Sequence, residues 1–418
     1  MKNLKKIFFI PLVFAFFSNG IDAQNKDKID TNLQQEMKFR DPNEMIRVNI
    51  ILIRQYDQME MRMKSSVFQT KEEKRNFVVG ELKRFSDETQ QGVLDVLSAM
   101  PSSSVSEIQS FWISNFINCY ANTEAIEELS LHPDILTIFF DSNLNVLPDF
   151  KSTVSDPTRE TTYNVLKVNA DKVWELGFEG EGVIVSILDT GVNYYHHDIR
   201  NNMWIHPDFP YHGYNFIDNN NNPMDHQQHG GHGTHVAGTV AGDGTSGSKT
   251  GVAPKAKIMA VKVLDPFRVS ALCDGIEFSV EYGAHILNLS LGYKVDNLQE
   301  GPYSDVSQTL RSAMINVLEA GVIASVAAGN SGNSLNIRPI PYNVQTPGNC
   351  PPPWLHPDQT TVGGLSAVVC VGSTDVNDSI AYDLSRGPVT WQSIAGYNDY
   401  PYNPGMGLIR PDICAPGR

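Results

Sequence analysis

Continuous apolar runs alternate with polar, helix-forming stretches along the second half of the chain, from about Tyr163 onwards. Five runs of β-branched and other apolar residues have the length of strands, and they do not alternate between apolar and polar positions. They cover residues 183–188, 258–263, Ile286–Leu289, 322–327 and 368–371. Runs of this kind are typical of strands that are covered on both faces of a sheet.

The segments between these runs predict helices. Residues 270–282 and 306–320 are helix-forming, and each is followed by a glycine, Gly283 or Gly321, where a left-handed C-cap is favoured. Strands that alternate with helices predict an α/β fold, with a parallel sheet, right-handed crossovers and helices on both faces. In such sheets the functional residues gather at the carboxyl ends of the strands.

The first half of the chain predicts a smaller α/β unit. Residues 24–44 are polar and show neither a helical nor a strand period, so we expect a flexible lead-in there. The order that follows is strand, helix, strand, helix, strand, with Asn122 as an N-cap. The strands are expected at Ile46–Leu52, 108–120 and 135–141. The first helix is expected at 71–85, with helical character continuing over 93–100, and the second at 125–129, before a linker near 148–159.

The extreme N-terminus indicates a secretory signal peptide. Three lysines within the first six residues precede an apolar run over residues 7–17, and small residues such as Ala23 follow near a cleavage point. An uncleaved membrane anchor is the alternative, but the run is too short to cross a bilayer as a helix. The predicted organisation is a signal peptide (1–23), a lead-in with the small α/β domain (24–155) and the larger α/β domain (156–418).

Charge and composition exclude some classes of partner. The chain has 418 residues and a formal net charge of −15. Nucleic acid and anionic membrane surfaces repel an acidic protein, so neither is expected as a partner. With no later apolar segment of membrane-spanning length, we expect a soluble mature protein that is secreted, periplasmic or held at the cell surface. The five cysteines lack the CxxC spacing of cysteine metal sites. One or two disulfides are possible among the four that follow Cys119.

Two polar residues follow the pattern of an acid–base pair. Asp189 ends the first buried run in the order Asp-Thr-Gly-Val, and His232 stands among glycines in Gly-His-Gly-Thr-His-Val-Ala-Gly, at the start of a helix. His232 could take a proton from a hydroxyl as general base, while Asp189 accepts its other ring N–H. The alternative for Asp189 is an ordinary turn or helix-capping aspartate.

A histidine series around His232 allows a competing interpretation. His226, His229, His232 and His235 are spaced by three, which on a continuous helix would align them along one face as metal ligands. Two glycines interrupt that helix, and no glutamate gives the HExxH arrangement of zinc peptidases. A zinc site is therefore the weaker hypothesis.

Two further segments follow strands and carry polar groups. Ser290, Leu291 and Gly292 come directly after one apolar run, and Asn330 follows another in the order Ala-Ala-Gly-Asn. The Asn330 amide could donate to a developing oxyanion, whereas in isolation it would be a plain turn residue. Either segment alone is a weak signal.

Taken in this order along the chain, these four segments closely resemble the subtilase family, over residues from about 160 to 418. The resemblance implies a subtilisin-like peptidase domain that cleaves peptides and proteins without a cofactor. It implies that Asp189 and His232 are two members of an Asp-His-Ser triad and that Asn330 is the oxyanion donor. Ser290, Leu291 and Gly292 would pair with the substrate backbone and form a wall of its specificity pocket.

The resemblance extends less sharply to other segments. Residues 46–141 are similar in size and element order to the family's inhibitory propeptides. A zymogen is therefore expected, with the predicted domain at residues 24–155 as an intramolecular inhibitor. Residues 346–354 resemble an insertion of bacillopeptidase F-like members. Structural calcium is frequent in the family, but no clear ligand loop for it is visible in the sequence.

The expected nucleophile is missing from the sequence. The family carries its serine in Gly-Thr-Ser-x-Ala-x-Pro, and no such segment occurs here; Gly372-Ser373-Thr374 has the wrong order. The preceding family landmark is present in residues 410–417, so the serine is expected beyond Arg418. We expect the 418-residue chain by itself to be inactive and poorly folded. The alternatives are a non-catalytic peptide-binding pseudoprotease and a histidine-rich metal-binding protein.

Overall fold

The computed structural model of the chain describes residues 28–143, 160–226, 230–293, 305–336, 338–351, 367–389 and 408–417. The predicted signal peptide, the predicted linker and His229 lie outside these ranges. Two compact units are formed. The first comprises residues up to Arg54 with Glu88–Ser110 and Phe116–Phe140, and the second comprises Gln55–Asp87, Phe111–Asn115 and Asp141–Arg418. The predicted domain boundary near residue 155 stays a prediction.

The first unit contains a four-stranded sheet in the order β2-β3-β1-β4. Strand β1 lies between β3 and β4 and is antiparallel to both. The elements along residues 28–143 are α1 (Thr31–Phe39), β1 (Ile46–Leu52), α2 (Gln58–Ser65), α3 (Lys71–Ala99), β2 (Val105–Phe111), β3 (Phe116–Ala121), α4 (Thr123–Ser130) and β4 (Ile135–Phe140). Of these, α2 and the part of α3 up to Asp87 belong to the second unit.

Two expectations for this region are corrected. Residues 31–39 form a helix instead of a flexible lead-in, because Asp30 accepts hydrogen bonds from the first-turn backbone and Leu33 is fully buried. The helical pattern predicted over residues 71–85 and continued over 93–100 forms one helix, α3. The single strand predicted at 108–120 is two strands, since the chain turns back between β2 and β3, where Asn115 has φ of 43°.

The second unit contains a seven-stranded sheet in the order β11-β10-β9-β8-β5-β7-β6. Every pairing between its strands is parallel. Its elements from residue 160 onwards are α5 (Tyr163–Lys167), α6 (Ala170–Glu175), β5 (Ile184–Asp189), β6 (Gly213–Asn215), α7 (His232–Ala241), β7 (Lys257–Lys262), α8 (Val269–Glu281), β8 (Ile286–Leu289), α9 (Asp305–Glu319), β9 (Ile323–Ala327), β10 (Val369–Thr374) and β11 (Ile413–Pro416). The predicted parallel α/β sheet is confirmed, and β6 and β11 are additions.

Helices cover both faces of this sheet at its centre. Val185 and Ile187 of β5 belong to one apolar cluster with Ala237 of α7. The alternate residues face α8: the hydroxyls of Ser186 and Ser279 are 2.7 Å apart. Strand β5 is therefore buried on both sides, which explains why its sequence is mostly apolar and does not alternate between apolar and polar positions.

The sheet order determines which loops meet. Strands β5, β8 and β9 are neighbours and run in the same direction, so their carboxyl ends lie side by side. Residues that follow these three strands share one edge of the sheet. Both glycines predicted as C-caps adopt the left-handed conformation, with φ of 88° at Gly283 and 77° at Gly321.

None of the five cysteines forms a disulfide; Cys414 is exposed and the other four are buried. Burial raises the pKa of the Cys350 and Cys370 thiols to about 12. Among the described helices, none combines the length and the apolar character that crossing a membrane requires.

Candidate active site

An aspartate and a histidine meet at the edge of the sheet. Asp189 is the last residue of β5, and its side chain is fully buried. His232 is the first residue of α7, directly after Gly231, whose φ of 73° turns the chain into the helix. His232 Nδ1 lies 2.8 Å from Asp189 Oδ1, and the imidazole retains 12% exposure. The pair predicted from the sequence is therefore in hydrogen-bonding contact.

Two glycines allow this close approach. A Cβ on Gly233 would collide with the carbonyl oxygen of Gly191 and come within 3.1 Å of Asp189 Cβ. Gly191 itself has φ of 101°, and a Cβ there would meet the backbone of Pro223 and Met224. Side chains at either position would push the helix start away from the aspartate loop.

The environment of His232 favours its protonated form. Burial alone would lower the pKa of the imidazole, but the hydrogen bond that it donates to Asp189 and the negative charges of Asp189 and Asp225 raise it by more. The net pKa of His232 lies above the ordinary value of 6.5. An imidazole with this environment can accept a proton readily and hold it as a stabilised imidazolium.

A second carboxylate, which the sequence did not reveal, joins the loops that carry the pair. Asp225 is buried and accepts hydrogen bonds from the Thr190 hydroxyl at 3.1 Å and from the Thr234 backbone N–H at 3.0 Å and hydroxyl at 2.6 Å. The Thr190 oxygen accepts in turn from the backbone N–H of Gly233 at 3.0 Å. Asp225 thus connects the residue after Asp189 with the first turn of α7.

The pKa of the Asp225 carboxyl is raised by burial, with a further contribution from the charge of Asp189, against the lowering effect of its bonds from Thr234 and Thr190. Asp225 lies seven residues before His232 in a polar stretch of sequence, where a solvent-exposed aspartate would be expected. The sequence signal for Asp225 is weak. Thr190 follows Asp189 and Thr234 comes two residues after His232, but threonine is too common a residue to predict hydrogen bonds to Asp225.

The other predicted residues lie at the same edge. Ser290, Leu291 and Gly292 follow β8 directly, and Leu291 and Gly292 are buried. Asn330 lies three residues after the end of β9 and is exposed. The residue after it is fixed, since Ser331 N donates to Ser385 Oγ at 2.9 Å and Ser331 O accepts from Asn343 at 2.7 Å. The structure therefore groups these segments with Asp189, because β8 stands between β5 and β9.

His226 and His235 are the other described histidines of the predicted series. His235 lines a cavity of about 530 Å³ together with His196, Asp198 and Asp225. Burial lowers the pKa of His235, and the nearby His232 lowers it further. Within the ranges that the structure describes, no group of three or more His, Cys, Asp or Glu side chains is placed to hold a metal ion.

Comparison with known proteins assigns a family to the second half of the chain. The model of the subtilase family matches residues 180–418, which is more than half of the chain. The chain is similar to the minor extracellular protease Vpr of Bacillus subtilis, with 37% identity over 190 residues, 43% of this chain and 21% of Vpr. It is similar to the major intracellular serine protease of Bacillus subtilis, with 36% identity over 40% of this chain and 48% of that protein. It is also similar to subtilisin DY of Bacillus licheniformis, with 31% identity over 61% of this chain and 80% of subtilisin DY.

The matched region covers less than half of the first two of these relatives. The names of the same two proteins describe one extracellular and one intracellular protease. Similarity therefore indicates the chemistry of the domain more clearly than its location.

Proposed function

Because the chain belongs to the subtilase family of serine proteases, we propose that the complete protein is a secreted endopeptidase with Asp189 and His232 in an Asp-His-Ser triad. The observation that carries the proposal is the 2.8 Å contact between His232 Nδ1 and Asp189 Oδ1 at the carboxyl end of β5. The serine is expected beyond Arg418, so the proposal concerns the full-length protein.

The chemistry assigned to each residue follows from this contact. Asp189 accepts the Nδ1–H of His232 and so keeps Nε2 unprotonated and directed away from the buried carboxylate. Nε2 takes the proton of the serine hydroxyl during attack on the peptide carbonyl and returns it to the leaving amine. Asn330 donates its amide to the oxygen that becomes negative, and residues 290–292 hold the substrate backbone.

The direct test of this function combines cleavage and labelling. The full-length protein should hydrolyse an unfolded protein substrate and react with a fluorophosphonate probe, which labels an activated serine. Labelling should disappear in His232→Ala. A stable full-length protein that binds peptides but is never labelled would favour the pseudoprotease alternative.

The raised pKa of His232 predicts the acid limb of the pH profile. Only the neutral imidazole acts as a base, so kcat/KM should rise with pH through an inflection above about 6.5. Removing the negative charge next to it, in Asp189→Asn, should move this inflection to lower pH, because the charge of Asp189 raises the pKa. The measurement is kcat/KM of the full-length protein between pH 5 and 10 at constant ionic strength. An inflection below that of free histidine would contradict the assigned environment.

A propeptide function for residues 24–155 rests on contacts within the second unit. The side-chain oxygen Oε1 of Glu277 on α8 accepts the backbone N–H groups of Trp112 and Ile113, at 2.6 and 2.8 Å. Asn316 of α9 donates to the Ile113 carbonyl at 2.7 Å. Two neighbouring helices of the peptidase sheet thus hold the turn between β2 and β3 through its backbone.

A second contact of this kind involves the residue that follows β4. The buried carboxylate of Asp141 accepts from the backbone N–H groups of Val269 and Ser270 and from the Ser270 hydroxyl. It caps the N-terminus of α8, whose own N-cap residue Arg268 makes no side-chain cap. These backbone contacts support an inhibitory region that stays docked until the linker is cut.

Replacing Glu277 should loosen the docked turn. Burial raises the pKa of Glu277 well above its usual range, so a neutral acceptor is tolerated there. Glu277→Gln keeps an oxygen acceptor and should have little effect, whereas Glu277→Ala leaves two buried N–H groups unpaired. Hydrogen exchange at Trp112 and Ile113 should then accelerate by about thirtyfold, which corresponds to about 2 kcal/mol. Unchanged exchange in Glu277→Ala would show that these bonds do not hold the segment.

The remaining expectations stay proposals. Secretion rests on the N-terminal apolar run, and peptides or proteins are the expected substrates. The proposed mechanism uses no cofactor. Structural calcium stays an expectation that is based on the family.

A further inference from the structure

Two glycines on neighbouring strand-end segments face the same side chain. Gly292 follows β8 and Gly329 follows β9. A Cβ on Gly292 would lie 2.7 Å from Gln345 Cβ, and a Cβ on Gly329 would lie 2.6 Å from Gln345 Cγ. Separations this short do not occur between real side chains. The space that two glycines leave at the edge of the sheet is therefore filled by Gln345.

Gln345 is held firmly in this position. Its backbone N donates to Ala328 O at 3.0 Å, and the next residue, Thr346, exchanges two backbone hydrogen bonds with Tyr293, at 2.8 and 3.3 Å. Its Nε2 donates to Ser331 Oγ at 3.2 Å, and the residue is 7% exposed. Gln345 is thus fixed to both strand-end segments, and its amide has a buried partner.

These two segments are the ones to which the proposed function assigns the substrate. A peptide whose backbone pairs with residues 290–292 and whose scissile carbonyl reaches Asn330 must place the residue before the cleaved bond between Gly292 and Gly329. The side chain of that residue, P1, then points into the gap that Gln345 occupies. Without Gln345, two glycine walls would leave room for a large apolar side chain.

On the basis of the proposed function, we infer that Gln345 is a specificity-determining residue that restricts P1 to small, uncharged side chains such as alanine and serine. A phenylalanine or leucine at P1 would have to displace the Gln345 side chain. That displacement breaks the hydrogen bond from Gln345 Nε2 to Ser331 Oγ and so removes the buried partner of the Gln345 amide, which is costly. A difference of a few methylene groups in a closed pocket already changes kcat/KM by about 10-fold or more.

The test uses the full-length protein and four peptide substrates that differ only at P1, which is alanine, serine, leucine or phenylalanine. The wild-type protein should cleave the alanine and serine peptides with kcat/KM at least about 10-fold above the other two. Gln345→Gly should raise kcat/KM for the phenylalanine peptide by at least about 10-fold. Asn333→Ala, an exposed amide in the loop after Asn330, is the matched control and should leave the preference unchanged.

The outcomes separate this inference from the function on which it rests. A wild-type protein that cleaves the phenylalanine peptide as well as the alanine peptide overturns the inference and leaves the protease function intact. The inference is also overturned if Gln345→Gly shows a cooperative thermal unfolding transition, and so is folded, but keeps the wild-type P1 preference. If Gln345→Gly does not fold, Gln345→Ala is tested in its place. Failure to cleave any of the four peptides overturns both proposals.

Discussion

Replacing His232 by alanine is expected to lower kcat of the full-length protein by about 10⁶-fold, and replacing Asp189 by alanine by about 10⁴-fold. In subtilisin, a member of the same family, loss of the corresponding groups has costs of this order. The difference has a physical reason: without the imidazole no group accepts the serine proton, whereas without the carboxylate the imidazole is only misoriented and less basic.

The measurement is steady-state hydrolysis of a chromogenic peptide, with thermal unfolding to show that each variant folds. His226→Ala is the matched control, because His226 belongs to the same histidine series but is exposed. It should retain full activity, which also tests the competing metal hypothesis. An active His232→Ala variant, or loss of activity in His226→Ala, would contradict the assignment.

The second large effect is expected at Asp225. Asp225→Asn replaces an acceptor of three hydrogen bonds by an amide that cannot accept at both ends, so a buried donor from Thr234 or Thr190 loses its partner. Since a bond to a charged group contributes about 1.5–3 kcal/mol, the free energy of unfolding should fall by about that amount. The pKa of His232 should fall as well, because the charge of Asp225 raises it.

Both quantities can be measured without following turnover. Denaturant unfolding of the full-length protein gives its stability, and NMR titration of the His232 ring protons in the same protein gives the pKa of His232. Asp208→Asn, at an exposed carboxylate, is the control. A loss of stability with an unchanged His232 pKa would make Asp225 a structural residue only, without influence on the acid–base pair.

The parts of the fold that were predicted correctly are those whose sequence reflects local rules. The buried strands β5, β7 and β8 are mostly apolar and do not alternate between apolar and polar positions. Glycine at 283 and 321 marks the helix ends, so the parallel sheet follows from pattern alone. Asp189 and His232 could be paired because each stands at a strand end or helix start. Contact between them follows from the sheet order.

The errors fall where distant contacts decide the structure. Helix α1 has a polar sequence, and what stabilises it is burial of Leu33 against a strand more than 100 residues away. The turn that divides the predicted strand at 108–120 is held by Glu277 and Asn316. Asp225 and Gln345 lie in irregular loops and gain their positions from partners on other segments, so no period or motif could have revealed them.

The cap that Asp141 provides for α8 affects the stability of the domain after the proposed cleavage. A helix of the peptidase unit begins on a carboxylate that, in the proposed zymogen, lies on the far side of the cleaved linker. After cleavage and departure of the propeptide, the backbone N–H groups of Val269 and Ser270 would donate to water instead of to Asp141. The helix would then lose about 1 kcal/mol of local stabilisation. We therefore expect the mature domain to be less stable than the zymogen by about that amount.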